Sequence, residues 1–130
     1  MKAVLIVVVA AFLTATSVVA HHSFASEYDS NKPVTLEGTV TKVEWMNPHV
    51  YFYIDVKDAD GKVTNWALEM GNPASLYRRG WKKEALTLGG TVIVEGSLAK
   101  DGSHLANAST VTLDGKRLFA GSSGDDGYAK

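Results

Sequence analysis

Cysteine is absent from the 130 residues. Its absence excludes disulfide bridges, thiolate metal sites and thiol nucleophiles, so stability must come from an apolar core. Proline is scarce, at three, and aromatic residues make up 9% of the chain. Neither sign of charge dominates: 13 Lys+Arg face 14 Asp+Glu, a formal net charge of −1. Such a balance offers no global attraction for nucleic acid or an anionic membrane surface. The nucleophile elbow G-x-S-x-G, the phosphate-binding loop and the H-E-x-x-H zinc motif are all missing, and Asp58-Ala59-Asp60-Gly61 lacks the later ligands of a calcium loop. A non-enzymatic chain is expected. What remains is 45% hydrophobic, the composition of one ordinary globular domain.

The apolar residues are unevenly placed. Ala3 to Leu13 is an unbroken apolar run behind Lys2, followed by Thr14-Ala15-Thr16-Ser17 and then Val18-Val19-Ala20. The run is shorter than the roughly 20 residues a membrane-spanning helix needs, and small residues follow it, so residues 1–20 read as a signal peptide cleaved after Ala20. A periplasmic or secreted protein with no stable membrane span is expected. Cleavage discards Lys2 and no acid, leaving the mature chain slightly more acidic.

Residues 21–33 read as an N-terminal arm ending at Pro33. From Val34 the period is 2: Val34, Leu36, Gly38 and Val40 alternate with Thr35, Glu37, Thr39 and Thr41. The apolar set then moves to Val43 and Trp45, which predicts a bulge near Thr41-Lys42. His49 to Lys57 alternates Val50, Phe52, Ile54 and Val56 against Tyr51, Tyr53 and Asp55, and a turn at Asp58-Ala59-Asp60-Gly61 returns Lys62 to Met70 as its hairpin partner. Asn72-Pro73 predicts a capped helix start, with the helix running to Arg79 before Gly80. Thr91 to Leu98 and a last strand, Ala108 to Phe119 interrupted at Asp114-Gly115, complete the order. The fold expected is all-β, a five-stranded OB-like Greek-key barrel over residues 34–119 with one short helix between strands 3 and 4. Residues 120–130, small and polar, are expected to be a disordered tail.

His21-His22-Ser23-Phe24, Trp45-Met46-Asn47-Pro48-His49, Gly71-Asn72-Pro73 and Arg79-Gly80-Trp81 together resemble a family of small exported bacterial proteins, a domain-of-unknown-function family with an OB-like barrel. The resemblance implies an exported OB-like domain and no particular activity.

Three groups of residues could carry function. If cleavage follows Ala20, the α-amine and Nδ1 of His21 can chelate one ion. His22 and His49 are candidate further ligands, and the Met46 thioether suits reduced copper; amine with imidazole suits Cu(II). The competing view is that these are a polar end, a strand-start imidazole and, at His104, a turn residue. Tyr51 and Tyr53, with Trp66 across the hairpin, form a second candidate, a stacking face for a cell-envelope oligomer or a protein partner; plain cross-strand packing, with the N-terminal arm covering the face through Phe24 and Tyr28, competes with it. Arg78 and Arg79, in the run Arg78-Arg79-Gly80-Trp81-Lys82-Lys83, could meet an anionic ligand, although basic residues at a helix C-terminus are favoured by its carbonyls alone. The expected function is a binding module handling copper as its only cofactor, or alternatively a metal-free module using the aromatic face.

Overall fold

The computed structural model describes residues 24–121. The expected signal peptide, His21 and His22, and all but the first two residues of the expected tail lie outside them. The chain begins with one helical turn, α1 (Phe24–Glu27), and passes directly into a long first strand, β1 (Tyr28–Glu44). Three more strands follow around a short helix: β2 (Tyr51–Lys57), β3 (Val63–Glu69), α2 (Pro73–Arg78) and β4 (Thr91–Ala99), with a 3-10 turn at Lys83–Ala85 before β4. The last two strands are β5 (Leu105–Leu113) and β6 (Lys116–Phe119).

Antiparallel pairing orders the strands β3-β2-β1-β4-β5-β6, and a parallel pairing of β3 with β5 closes the circuit. The closed ring is therefore β1-β2-β3-β5-β4, the five-stranded OB-like barrel expected, with a short helix after the third strand. One long strand serves two neighbours because β1 pairs with β4 through Tyr28 to Thr39 and with β2 from Thr39 onward. The bend between these halves falls where the apolar set changes parity: the register with β2 shifts between Val40 and Lys42, leaving Thr41 as the extra residue. Gly38 sits just before the bend, and a Cβ there would stand 2.4 Å from the Asp55 carbonyl oxygen, so only glycine lets these backbones meet.

Two boundaries differ from the sequence reading. β1 begins at Tyr28 rather than Val34. Tyr28 pairs with Ala99, and the register then slips before Pro33, so the polar residues between them interrupt the alternation without ending the strand. The final segment is two strands, not one, because Asp114 and Gly115 both take positive φ, 48° and 77°, the backbone of a tight hairpin turn. β6 folds back on β5 outside the ring. Beyond it Ala120 is buried, its N–H donating to Ser109 O at 2.8 Å and its carbonyl accepting from Gly71 N at 3.0 Å, so the ordered chain continues past Phe119.

The barrel interior is filled from every strand: Leu36 and Val40, Phe52 and Ile54, Leu68, Val92 and Val94, Ala106, Ala108 and Val111. Helix α2 adds Leu76. Its start is as expected, with Pro73 in the first turn and the Asn72 side chain accepting from Ser75 N at 2.8 Å. Trp81 follows the helix into the core and donates through Nε1 to Phe119 O at 2.9 Å. Among the described residues no helix is long and apolar enough to cross a membrane.

Candidate functional site

The site follows from strand periodicity. Tyr51 and Tyr53 share the outer face of β2, and His49, two residues before Tyr51 in the segment leading into the strand, keeps the same parity, while Val50, Phe52 and Ile54 are buried. Register places Glu69 of β3 directly opposite Tyr51. The Glu69 side chain therefore arrives between Tyr51 and His49.

Glu69 is only 2% exposed, and a buried carboxylate is costly unless its oxygens are occupied. Both are. Oε2 accepts from the Tyr51 hydroxyl at 2.9 Å and from the Tyr28 hydroxyl, while Oε1 stands 3.3 Å from His49 Nδ1. Tyr28 is itself 1% exposed, and its ring lies 5.6 Å from that of Phe24. Burial, then the bond to Glu69 and its charge, pushes the Tyr28 phenol well above the usual tyrosine range; burial, then the Glu69 charge and bond, does the same to Tyr51. Both phenols remain protonated donors through the neutral range. The segment carrying Tyr28 is tied down from the other side by Lys100, whose backbone N–H donates to Glu27 O at 2.9 Å and whose Nζ donates to Ala25 O.

The expected site residues separate into several environments. His49, with its side chain 15% exposed, belongs to the Glu69 cluster. Met46, 47% exposed in the connection before it, is not among the partners of Glu69. Tyr53 shares the face of Tyr51 but bonds a different acid, donating to Glu44 Oε2 at 3.1 Å beneath Lys42. Trp66 does not join the two tyrosines. It pairs with Ile54, so its side chain turns to the core side of the hairpin and meets the His104 ring at 5.1 Å. Arg78 and Arg79 also diverge: Arg78 is exposed, whereas the Arg79 guanidinium lies 4.4 Å over the Phe119 ring. His21 and His22 precede the described residues.

Sequence reasoning gave no site role to three members of this face: Glu69, Tyr28 and Asn107. Asn107 is the register partner of Glu69 in the parallel β3–β5 pair, is 1% exposed, and its Nδ2 has no hydrogen-bond partner among the described residues. The one available signal was an acid between Leu68 and Met70, where both neighbours are apolar. Among the described residues no group of three or more His, Cys, Asp and Glu could hold a metal ion. This part of the chain supplies one imidazole and one carboxylate, and a metal would need further ligands.

The profile of a family of unknown function, DUF6152, matches residues 8–108. The chain belongs to that family. No curated protein matches this DUF6152 sequence. Among solved structures it is similar to the mitochondrial single-stranded DNA binding protein Rim1 of S. cerevisiae, at 14% identity and a TM-score of 0.50, covering 64% of this chain and 93% of that one. At that identity the likeness speaks for the OB-like fold alone. It is also similar to the N-terminal domain of PriB from Thermoanaerobacter tencongensis, at 18% identity, 64% and 96% coverage and a TM-score of 0.44.

Proposed function

We propose that this DUF6152 protein is an exported, non-enzymatic binding module that takes up copper. After cleavage behind Ala20, His21 binds through its α-amine and Nδ1, and His49 adds a second imidazole; His22 is a further ligand candidate, and Met46 serves the reduced ion. One observation carries this reading: the amino-terminal segment is anchored at the His49–Glu69 pair itself. Tyr28 donates to Glu69 Oε2 while Oε1 faces His49 Nδ1, and Phe24 packs on Tyr28. His21 precedes Phe24 by three residues, a reach of about 10 Å for extended chain, and the reading requires that this reach bring His21 to His49 so that both meet one ion with bonds near 2 Å. Amine and imidazole nitrogens favour Cu(II). The metal-free stacking face has less support, because the inward turn of Trp66 leaves Tyr51 and Tyr53 without a third ring and both hydroxyls already engaged.

The test is a copper titration, followed by absorption and electron paramagnetic resonance, of the chain beginning at His21 and of a form with one residue added ahead of it. Tight binding that is lost on extension is expected. Equal binding by the two forms, or binding by neither, would remove the amine from the site.

A further inference from the structure

The amino-terminal segment is held down by one side chain. Of residues 24–32 only Tyr28 is buried, and its hydroxyl donates to Glu69 Oε2. Behind it the strand goes slack: Tyr28 pairs with Ala99 and Pro33 with Ser97, so Asp29 to Lys32 are matched by Leu98 alone. Ser30, Asn31 and Lys32 are exposed, and Asn31 N–H turns back to Asp29 Oδ1 at 2.9 Å. From Pro33 to Thr39 the pairing with β4 then runs without a break, so the closed ring begins beyond the slack. Beneath the segment, Glu69 and Asn107 are register partners that both turn out of the barrel, since Leu68, Met70, Ala106 and Ala108 take the core side. Both are nonetheless buried, and Asn107 Nδ2 has no hydrogen-bond partner among the described residues. A buried amide donor with no acceptor is uncommon in a completed polar network.

We propose that residues 24–32 are a strap over a phenol-accepting recess: Tyr28 is the catch, Asp29 to Lys32 the slack, and Tyr51, Glu69 and Asn107 the polar side chains that the open strap presents to a small phenolic ligand. In the closed form Tyr28 stands in for that ligand and keeps the recess shut. The ligand hydroxyl takes the place of the Tyr28 hydroxyl at Glu69 Oε2, and Asn107 supplies a donor that the closed form leaves unused. Because ligand and catch exclude each other, a phenol shifts the strap toward its open form by its preference for that form alone. No metal enters this inference, and it stands or falls apart from the copper reading.

Backbone amide exchange reads the strap directly. The Lys100 N–H, which donates to Glu27 O at 2.9 Å, reports strap closure; the Ala67 N–H, which donates to His104 O at 3.0 Å where β3 meets β5, reports the barrel. In the unaltered protein Lys100 is expected to exchange at least about 10-fold faster than Ala67 after correction for intrinsic rates, and almost independently of low urea, because a local opening exposes little surface. p-Cresol is the probe, and toluene, the same ring without the hydroxyl, is its control. p-Cresol is expected to speed exchange at Lys100 while leaving the protection of Ala67 undiminished, and toluene to do neither. Tyr28→Phe keeps the ring and removes the bond to the charged acceptor. It is expected to speed Lys100 exchange by about 10- to 100-fold and to tighten p-cresol binding by the same factor, since the catch competes less. Exchange of Lys100 at the rate and urea dependence of Ala67 would overturn the strap. p-Cresol acting no differently from toluene, or binding Tyr28→Phe no more tightly than the unaltered protein, would overturn the recess.

Discussion

Strand β2 carries the same chemistry twice, two residues apart. Tyr51 donates to Glu69 and Tyr53 donates to Glu44, at 2.9 and 3.1 Å, from the same face of one strand. The environments differ. Glu69 lies under Tyr28 and the amino-terminal segment, whereas Glu44 sits at the surface with Lys42 Nζ at 2.7 Å from its Oε1. A hydrogen bond matters in proportion to what replaces it when it is lost: water reaches Glu44 at once, but at Glu69 nothing does. The inner pair should behave as a structural and functional anchor, and the outer one as solvated decoration.

Removing the acids gives the largest contrast. Glu69→Ala leaves two buried phenols without an acceptor and His49 without its counter-group, so a loss of about 3–5 kcal/mol in urea unfolding is expected. If Glu69→Ala unfolds at the wild-type midpoint, the inner cluster is not an anchor. The phenols come next. Tyr28→Phe removes one donor to a buried charged group and should cost about 1.5–3 kcal/mol, while Tyr51→Phe, nearer solvent, should cost less. Equal effects for Tyr28→Phe and Tyr53→Phe would erase the distinction between the two pairs.

Alkaline pH sharpens the comparison by a route that needs no substitution. The folded protein holds the protons of Tyr28 and Tyr51 well above the ordinary tyrosine value of 10.0, and the unfolded chain does not. Above that value the unfolded state releases protons that the folded state keeps, so stability is fully present below it and declines as pH rises. The expected observation is a falling unfolding free energy between roughly pH 9 and 11, with a shallower fall in Tyr28→Phe. A wild-type slope no steeper than that of Tyr28→Phe would mean that burial does not hold the Tyr28 proton.

How far each pair could be read from sequence follows from how local its partners are. The outer one is built from neighbours: a parity change in the apolar residues marks the bulge after Val40, and period 2 puts Tyr51 and Tyr53 on one face with His49 beside them. The hairpin at Asp58 to Gly61 and the Asn72 cap are equally local, since each is written in a few consecutive residues. Glu69 is different, because its decisive partner, Tyr28, comes from a segment where the polar stretch Asp29 to Lys32 hides the strand. Trp66 misleads for a related reason: aromatic character suggests a face, but only the register with Ile54 says which one. The β5–β6 hairpin is also written locally, in Asp114-Gly115, a dipeptide suited to two successive positive φ angles, but from sequence it reads as a break within one strand until Lys116 to Phe119 is seen to pair back on β5.

The smallest effect belongs to the outer pair, and it tests whether exposure alone accounts for the contrast. The bond to Lys42 holds the Glu44 carboxyl below its ordinary 4.5; desolvation opposes it, and the bond to Tyr53 and the Lys42 charge add smaller pulls in the same direction as the Lys42 bond. A depressed acid stabilises the fold above the ordinary value and loses that contribution as pH falls through the folded one, so any share from Glu44 disappears on the acid side. Because Lys42 and Glu44 are solvated, salt screens them and side-chain entropy opposes the pair, and Glu44→Gln is expected to leave the unfolding midpoint within experimental scatter at moderate ionic strength. The same substitution at low salt should reveal a slight loss. If Glu44→Gln instead destabilised the protein as strongly as Glu69→Ala, with no dependence on salt, burial would not be what separates the two tyrosine–carboxylate pairs, and the distinction would have to come from strand pairing around the Thr41 bulge.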